Sequence, residues 1–199
     1  MPEQSISSTH TDDLSPFARQ VLSVNLSDSY RRLVARDEGN AEAKKLLSSA
    51  TSKQMLSGLL HSEDDANAML AGLWLWHDWL DESHHISQSL NSATGSFWHA
   101  IMHRREGDFS NSQYWYARLQ GHPVLQQMAN QVGQILHALP ADKTLLRLMS
   151  GGWNPNAFVD LVQSVEQDER NPKHAAAISL QQLEWRLLFD HCTRSAAGK

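Results

Sequence analysis

The sequence contains little cysteine and no long apolar run. Cys192 is the only cysteine among 199 residues, so an intramolecular disulfide is excluded and a reducing compartment is indicated. No window of about 18 consecutive apolar residues occurs, which predicts that no helix spans a membrane. The start of the chain, MPEQSISSTHTDDLSP, is polar and acidic, unlike a secretory signal peptide. We therefore expect a cytoplasmic protein that makes no contact with a membrane.

An excess of positive charge is also missing. The formal net charge is -5 and the isoelectric point is about 6.1, whereas binding to nucleic acid normally requires a basic face. The two arginine pairs, Arg31-Arg32 and Arg104-Arg105, are each followed closely by acidic residues. The charge pattern therefore predicts no nucleic-acid partner.

The sequence signatures of several common enzyme classes are absent as well. The chain has no G-x-x-x-x-G-K-[ST], G-x-G-x-x-G, G-x-S-x-G or C-x-x-C motif. These motifs are typical of phosphate-binding loops, dinucleotide-binding folds, serine hydrolases and zinc fingers, so each of those functions loses its usual support.

Proline is missing from a long central interval, between Pro16 and Pro123. That interval is rich in Ala, Leu, Gln, Glu, Arg and Lys, which favours helices. Helices are expected at 16–26, 28–36, 41–49, 53–60, 63–76, 81–90, 95–106, 110–119, 123–139, 142–149, 155–167 and 173–193. The predicted class is all-α, with at least seven helices stacked as antiparallel hairpins in a tetratricopeptide-like or irregular bundle. Residues 1–15 are predicted to be disordered, and 16–199 to form a single helical domain.

The stretch FWHAIMHRREGD, residues 97–108, concentrates side chains that could carry chemistry. On a helix, His99, His103 and Glu106 fall on one stripe, away from the apolar side chains of Phe97 and Ile101. Histidines four residues apart can share a metal ion, and a carboxylate one turn further on is a candidate third ligand or a base. One face of the helix is therefore expected to pack in the core, and the other carries side chains that could bind a ligand or catalyse a reaction.

Further candidates lie next to this stripe. Arg104 and Arg105 could bind an anionic ligand, because guanidinium pairs favour carboxylate or phosphate. His84 and His85 lie on the preceding helix, and one of them could meet His99 or His103 if the two helices pair antiparallel. Because histidine is common on the polar side of amphipathic helices, a structural role is the preferred interpretation. A ligand-binding or catalytic site stays open, as does a divalent metal site at His99 and His103, which is not favoured; no cofactor is assigned.

Aromatic residues are concentrated in the same part of the chain and are expected mostly in the core. Trp98 and Tyr114 are the two candidates for lining a ligand pocket, because an indole N–H or a phenol O–H can orient a ligand. His77 and His122 are expected in turns or helix caps.

The last helix carries Glu184 and His191 on one face. An exposed flank that includes Leu188 is the preferred interpretation, and a common pocket is the alternative. Cys192 is expected to be a buried, inert thiol.

Two resemblances bear on the fold. The segments WLDESHHISQSL (79–90) and DFSNSQYWYARL (108–119) can be aligned, with Ser83 and Ser112 where two helices could approach closely, and this resembles the tetratricopeptide pattern. The run SFWHAIMHRREGDFSNSQYWYARLQGHPV, with WLDESHHISQ before it and LEWRLLFDHC after it, resembles a family of small all-helical proteins that share a [WY]-H-A-I-M-H-R-R-E segment. This second resemblance covers about residues 65–195. It implies a helical fold and points to the same histidines, arginines and Glu106, but it implies no activity.

Two functional hypotheses follow. The first is a helical protein that binds a small molecule or a peptide in an aromatic and histidine-rich pocket. The second is an enzyme that uses a cluster of His84, His99, His103 and Glu106 with the two arginines, with or without a metal. Glu106 closes its helix, where a carboxylate is unfavourable to the helix dipole. We therefore expect Glu106 to be partly buried, hydrogen-bonded to an arginine or a histidine, and part of the main pocket.

Overall fold

The computed structural model describes residues 11–119, 121–137, 139 and 142–199. These residues are mostly helical and form no β-strand, and Leu14 and Leu56 make an isolated antiparallel bridge. The predicted all-α class with at least seven helices is confirmed. In chain order the helices are α1 (Pro16–Ser23), α2 (Ala41–Leu47), α3 (Glu63–Trp76), α4 (Leu80–Ser87), α5 (Ala93–Glu106), α6 (Phe109–Tyr116), α7 (Pro123–Gln131), α8 (Gly133–Leu136), α9 (Lys143–Leu148), α10 (Pro155–Val165) and α11 (Pro172–Ala196).

Capping side chains set the ends of the helices that matter for the site. The Ser92 hydroxyl accepts a hydrogen bond from Gly95 N and starts α5. Gly107 has a φ of 90° and ends α5 in the left-handed region, which favours glycine. The Asp108 carboxylate then accepts a hydrogen bond from Asn111 N and starts α6. The chain therefore reverses between α5 and α6 within a very short turn.

Two consecutive hairpins, α3–α4 and α5–α6, lie side by side and are covered by the long helix α11. The small side chains Ser83 and Ser112 are both fully buried, as expected for positions where helices approach closely. The Ser112 hydroxyl donates a hydrogen bond of 2.7 Å to Ala100 O across the second hairpin. Helix α5 contacts α3, α4 and α6, so it is buried on nearly all sides.

Close packing of α3, α5 and α11 depends on Gly72. A Cβ atom at this position would lie 2.8 Å from the Trp98 ring. The Trp185 indole N–H donates a hydrogen bond of 2.9 Å to Gly72 O, which holds α11 against α3. The core between these helices is rich in aromatic rings, as the sequence predicted.

The predicted helix at 28–36 is wrong. Tyr30 has a φ of 57°, which no helix allows, and its ring is fully buried and stacks on Trp76 at 5.4 Å. Further along, Ala35 N donates to Arg105 O rather than to a carbonyl of its own segment. Tertiary contacts with α3 and α5 therefore override the local helical preference.

The predicted helix at 53–60 is also wrong, since only Ser52–Gln54 form a short 3-10 helix. The backbone of this segment bonds to the chain before α1 instead: Ser15 N donates to Met55 O, and Ser57 N donates to Asp13 O. The segment predicted to be disordered is 1–15, and residues 1–10 of it lie outside the described part of the chain. Its remaining part is structured, with Leu14 only 2% exposed.

Among the residues that the structure describes, no helix combines the length and the apolar character that crossing a membrane would require.

Candidate metal centre

Three histidines lie next to one another where the hairpins α3–α4 and α5–α6 meet. One of them is on α4 and two are on α5. The ring centroid of His84 lies 4.7 Å from that of His99 and 5.3 Å from that of His103, and the two rings on α5 are 4.8 Å apart. One nitrogen from each ring can be chosen so that all three lie within 4.8 Å of one another. Pairing of α4 with α5 therefore brings together the three histidines that the sequence had marked as candidates.

The two histidines on α5 are buried, and the third is partly open to solvent. His99 is 4% exposed and His103 is 6% exposed, whereas His84 has intermediate exposure. The Trp115 ring stacks on His99 with a centroid distance of 4.1 Å and covers it from the side of α6. The cluster thus has a rigid, buried wall on α5 and a more accessible member on α4.

Glu106 and Asn111 fix the orientation of the His103 ring. The Glu106 carboxylate lies 3.0 Å from Nδ1, and because a carboxylate oxygen accepts, Nδ1 carries the hydrogen. Nε2 then keeps its lone pair, and the Asn111 amide nitrogen lies beside the ring, 3.0 Å from Nε2 and 3.4 Å from Nδ1, rather than in line with that lone pair. This arrangement resembles the way in which carboxylates orient metal-binding histidines, with the second ring nitrogen left as a ligand.

Burial favours the neutral form of two of the three rings, His99 and His84. Burial, together with the neighbouring rings of His103 and His84, lowers the pKa of His99 to about 4. Burial also lowers the pKa of His84, and the nearby ring of His103 adds to the effect. In addition, His99 Nδ1 is buried and makes no hydrogen bond to the described residues. At neutral pH the imidazoles of His99 and His84 therefore offer unprotonated nitrogens.

The predicted role of the two arginines in binding an external anion is wrong. Both Arg104 and Arg105 are 0% exposed. Arg104 Nη2 donates to Glu184 Oε2 at 2.6 Å. The Tyr116 hydroxyl accepts a hydrogen bond from Arg104 Nη1 and donates one to Glu184 Oε1. Arg105 Nη2 donates to Asp78 Oδ1 at 2.6 Å, and its Nη1 donates to a backbone carbonyl of α3. Internal carboxylates already neutralise both guanidinium groups, so neither faces a ligand.

The expectation of an exposed flank of Glu184, Leu188 and His191 is wrong for the same reason. Glu184 and Leu188 are fully buried, and Glu184 serves as the counter-charge of Arg104 rather than sharing a pocket with His191. Cys192 is buried as expected, and burial raises the pKa of its thiol above the usual range.

The prediction for Glu106 is confirmed in one part and wrong in the others. Glu106 is paired with His103, as expected, but its side chain is 52% exposed and does not line the cavity described below. Helix α5 ends at the protein surface, and the carboxylate reaches back over His103 from there. His77 and His122 cap α3 and α7, as expected.

Neither aromatic candidate lines a ligand pocket. Trp98 is 0% exposed and packs edge-on against Trp185 in the core. Tyr114 is 56% exposed and lies under the Arg118 guanidinium on the outer face of α6. Sequence reasoning instead missed Trp115 and Asn111, because only the pairing of α6 with α5 turns these two toward the histidines.

The histidine cluster is compact, with one nitrogen of each ring within 4.8 Å of the other two. A shallow cavity of about 360 Å³ lies on the other side of α4 and includes the neighbouring His85. Its lining residues are Trp74, Asp81, Glu82, His85 and Ile86. The space between the three imidazoles is therefore suited to an ion rather than to an organic molecule.

The chain matches no protein-family model, no curated protein and no solved structure. The interpretation of the site consequently depends on its own geometry.

Proposed function

We propose that the protein binds a divalent transition-metal ion, with Zn²⁺ as the first candidate, through His84, His99 and His103. The observation that carries the proposal is the convergence of three imidazole nitrogens within 4.8 Å of one another. A tetrahedral zinc ion with bonds of about 2.0–2.1 Å holds its nitrogen ligands roughly 3.3 Å apart. Rotation of the partly exposed His84 side chain, together with adjustment of the two stacked rings on α5, would close that difference.

The surroundings of the three rings support a metal rather than a purely structural cluster. Neutral imidazoles bind metal without first losing a proton, and burial already keeps His99 neutral. Glu106 holds the His103 tautomer in which Nε2 is free to bind a metal. A bound ion would place positive charge beside the Glu106–His103 pair, and the Glu106 carboxylate would stabilise that charge.

The alternative is a metal-dependent enzyme. No fourth ligand of the protein joins the three histidines among the described His, Cys, Asp and Glu residues, and three protein ligands with one open position are typical of catalytic zinc. Water in that position would be the reactive group. Arg104 and Arg105 would take no part in such a reaction, because both are buried in ion pairs.

Two further proposals concern the architecture with its partner and the cellular location. The hairpins α3–α4 and α5–α6 support a tetratricopeptide-like stack that could hold a peptide or another partner. The single, buried cysteine supports a cytoplasmic location.

Metal binding is tested with protein purified without a histidine tag. Metal analysis after incubation with Zn²⁺ and removal of excess ion should give one ion per chain. His84→Gln should abolish this binding, whereas His85→Gln should keep it, because His85 is exposed and lines the cavity on the other side of α4. Absence of bound zinc in the unmodified chain, or equal effects of the two variants, would contradict the proposal.

Co²⁺ gives an independent measurement. An ion held by three imidazoles and a solvent molecule should produce the strong visible absorption of tetrahedral cobalt. Glu106→Gln should weaken binding about 10–100-fold, the usual effect of removing a carboxylate that orients a ligand. The same change should alter the free energy of unfolding by no more than about 0.5 kcal/mol, because the side chain is half exposed.

A further inference from the structure

Helix α7 is attached to the rest of the protein mainly on one side. Its closest neighbours are the long helix α11 and the short helix α8 that follows it in the chain. The side chains that α7 buries are Val124 and Met128, and Val132 is buried directly after its end. Near that end, the Arg186 guanidinium of α11 donates a hydrogen bond of 3.1 Å to Gln131 Oε1. A helix held by so few apolar contacts depends strongly on the groups at its N-terminus.

The chain has a flexible point at each end of α7. Gly121 has a φ of 81°, and a Cβ atom built at this position would meet no described atom within 4 Å. Gly133, which lies between α7 and α8, is equally free of close neighbours in the described structure. Because glycine adopts many backbone conformations, rotation at these two residues can move α7 away from α11 without displacing α3 or α5.

His122 can cap the N-terminus of α7 only while its ring is neutral. Nδ1 accepts a hydrogen bond of 3.3 Å from Val124 N, so the lone pair of Nδ1 serves as the helix cap. Nε2 then carries the hydrogen and donates to Thr94 Oγ1 of α5 at 3.3 Å. A proton on Nδ1 would remove the cap and would place a positive charge at the positive end of the helix dipole. Both effects would weaken the attachment of α7.

A second histidine, His191 of α11, lies directly against His122. The two ring centroids are 4.8 Å apart, and the Phe97 ring of α5 packs edge-on against His122 at 5.2 Å. His122 is 5% exposed, so a charged ring would have little access to water while α7 stays in place. Burial therefore opposes a charge on this ring, and mutual repulsion opposes a charge on both rings.

The charged groups of the neighbouring helices do not compensate for burial. Asp65 of α3 favours protonation of both rings, but its carboxylate also accepts a hydrogen bond of 2.6 Å from the Ser195 hydroxyl. Burial outweighs this acid and lowers the pKa of His122 to about 4, and it lowers the pKa of His191 as well. Helix α5 contributes uncharged side chains to the contact. The charged side chains on or next to the interface are Asp65 of α3 and Arg186, Asp190 and Arg194 of α11.

We propose that His122 and His191 form an acid-sensitive switch, in which protonation releases α7 from α11 while α3 and α5 stay folded. Release exposes the apolar side chains of Val124 and Met128 together with the surface of α11 on which they pack. The switch is separate from the histidine cluster on α4 and α5 and does not depend on metal binding.

Hydrogen–deuterium exchange of the full chain, followed by mass spectrometry, measures the release of α7 helix by helix. The rates at pH 7 and pH 5 are first corrected for the intrinsic effect of pH on amide exchange. The pKa of His122 is about 4 in the attached helix and 6.5 in a free one, so the released fraction should increase roughly 20-fold between pH 7 and pH 5. Peptides from α7 should lose protection by that factor, whereas peptides from α3 and α5 should keep theirs.

His122→Asn is the test variant, because asparagine still caps a helix through its side-chain oxygen but does not titrate. In this variant the protection of α7 should be the same at pH 7 and pH 5. His85→Gln is the matched control, because it removes an exposed histidine far from α7 in sequence, and it should retain the loss of protection in acid.

Unchanged protection of α7 at pH 5 in the unmodified chain would overturn the proposal. An equal loss in all helices would overturn it too, because the acid would then unfold the whole protein rather than release α7. The same conclusion follows if His122→Asn and His85→Gln respond equally to pH. The comparison of α7 with α3 and α5 uses the unmodified chain, so it decides the question even if His122→Asn fails to fold.

Discussion

Replacement of Glu184 by leucine removes the counter-charge of a guanidinium group that has no access to water. Arg104 and Glu184 are both 0% exposed, and their closest N and O atoms are 2.6 Å apart. Burial by itself lowers the pKa of Arg104, but the Glu184 carboxylate outweighs this effect and raises the pKa above its ordinary value. Arg104 therefore stays charged in the folded protein. Loss of one partner of such a pair costs about 3–5 kcal/mol, a large part of the 5–15 kcal/mol typical of a folded domain.

Urea unfolding followed by circular dichroism measures this cost. Glu184→Leu should lower the free energy of unfolding by about 3–5 kcal/mol. The double variant Arg104→Met/Glu184→Leu should be more stable than Glu184→Leu alone, because it buries no charge. Asp37→Asn is the control, since it breaks the exposed pair with Arg32 and should cost less than about 1 kcal/mol.

An equal cost of Glu184→Leu and Asp37→Asn would contradict the role of Glu184 as a counter-charge. A double variant as unstable as Glu184→Leu would contradict it as well, because the penalty would then come from lost packing rather than from an uncompensated charge.

Two further predictions concern packing and pH. Gly72→Ala should lower the free energy of unfolding by about 1–3 kcal/mol, because a Cβ atom would meet the Trp98 ring at 2.8 Å, and a neutral Gly72→Ala in urea unfolding would contradict the close packing. Burial, with a smaller effect of His191, lowers the pKa of His122 from 6.5 to about 4. Because the unfolded chain binds the proton more tightly, stability should be full above about pH 6.5 and should fall as the pH drops toward 4. Urea titrations at several pH values should show a weaker slope for His122→Gln than for the unmodified chain, and equal slopes would contradict this assignment.

The sequence predicted the helices that begin or end at strong local signals. The ends of α5 and α6 are set by the Ser92 and Asp108 caps and by Gly107. The hydrogen bonds of these three residues at the helix ends involve only residues near in sequence. The segments 28–36 and 53–60 have helical composition but no helix, because their backbone and side chains bond to distant parts of the chain. Local preference could not reveal those partners.

At the candidate site, too, the features set by residues near in sequence were predictable, and those set by distant residues were not. The spacing of His99 and His103 and the proximity of His84 were predictable from helical geometry and a short turn. The environment of Arg104 was not, because Glu184 lies 80 positions further along the chain. A pair of arginines in a short segment gave no sign that each would be buried against a different carboxylate.

The two buried arginines of α5, Arg104 and Arg105, have a consequence for the synthesis of the chain. While the ribosome is still making the part of the chain before residue 184, Arg104 has no counter-charge, although Asp78, the partner of Arg105, has already been made. The hairpin α5–α6 therefore cannot reach its final packing until α11 has left the ribosome.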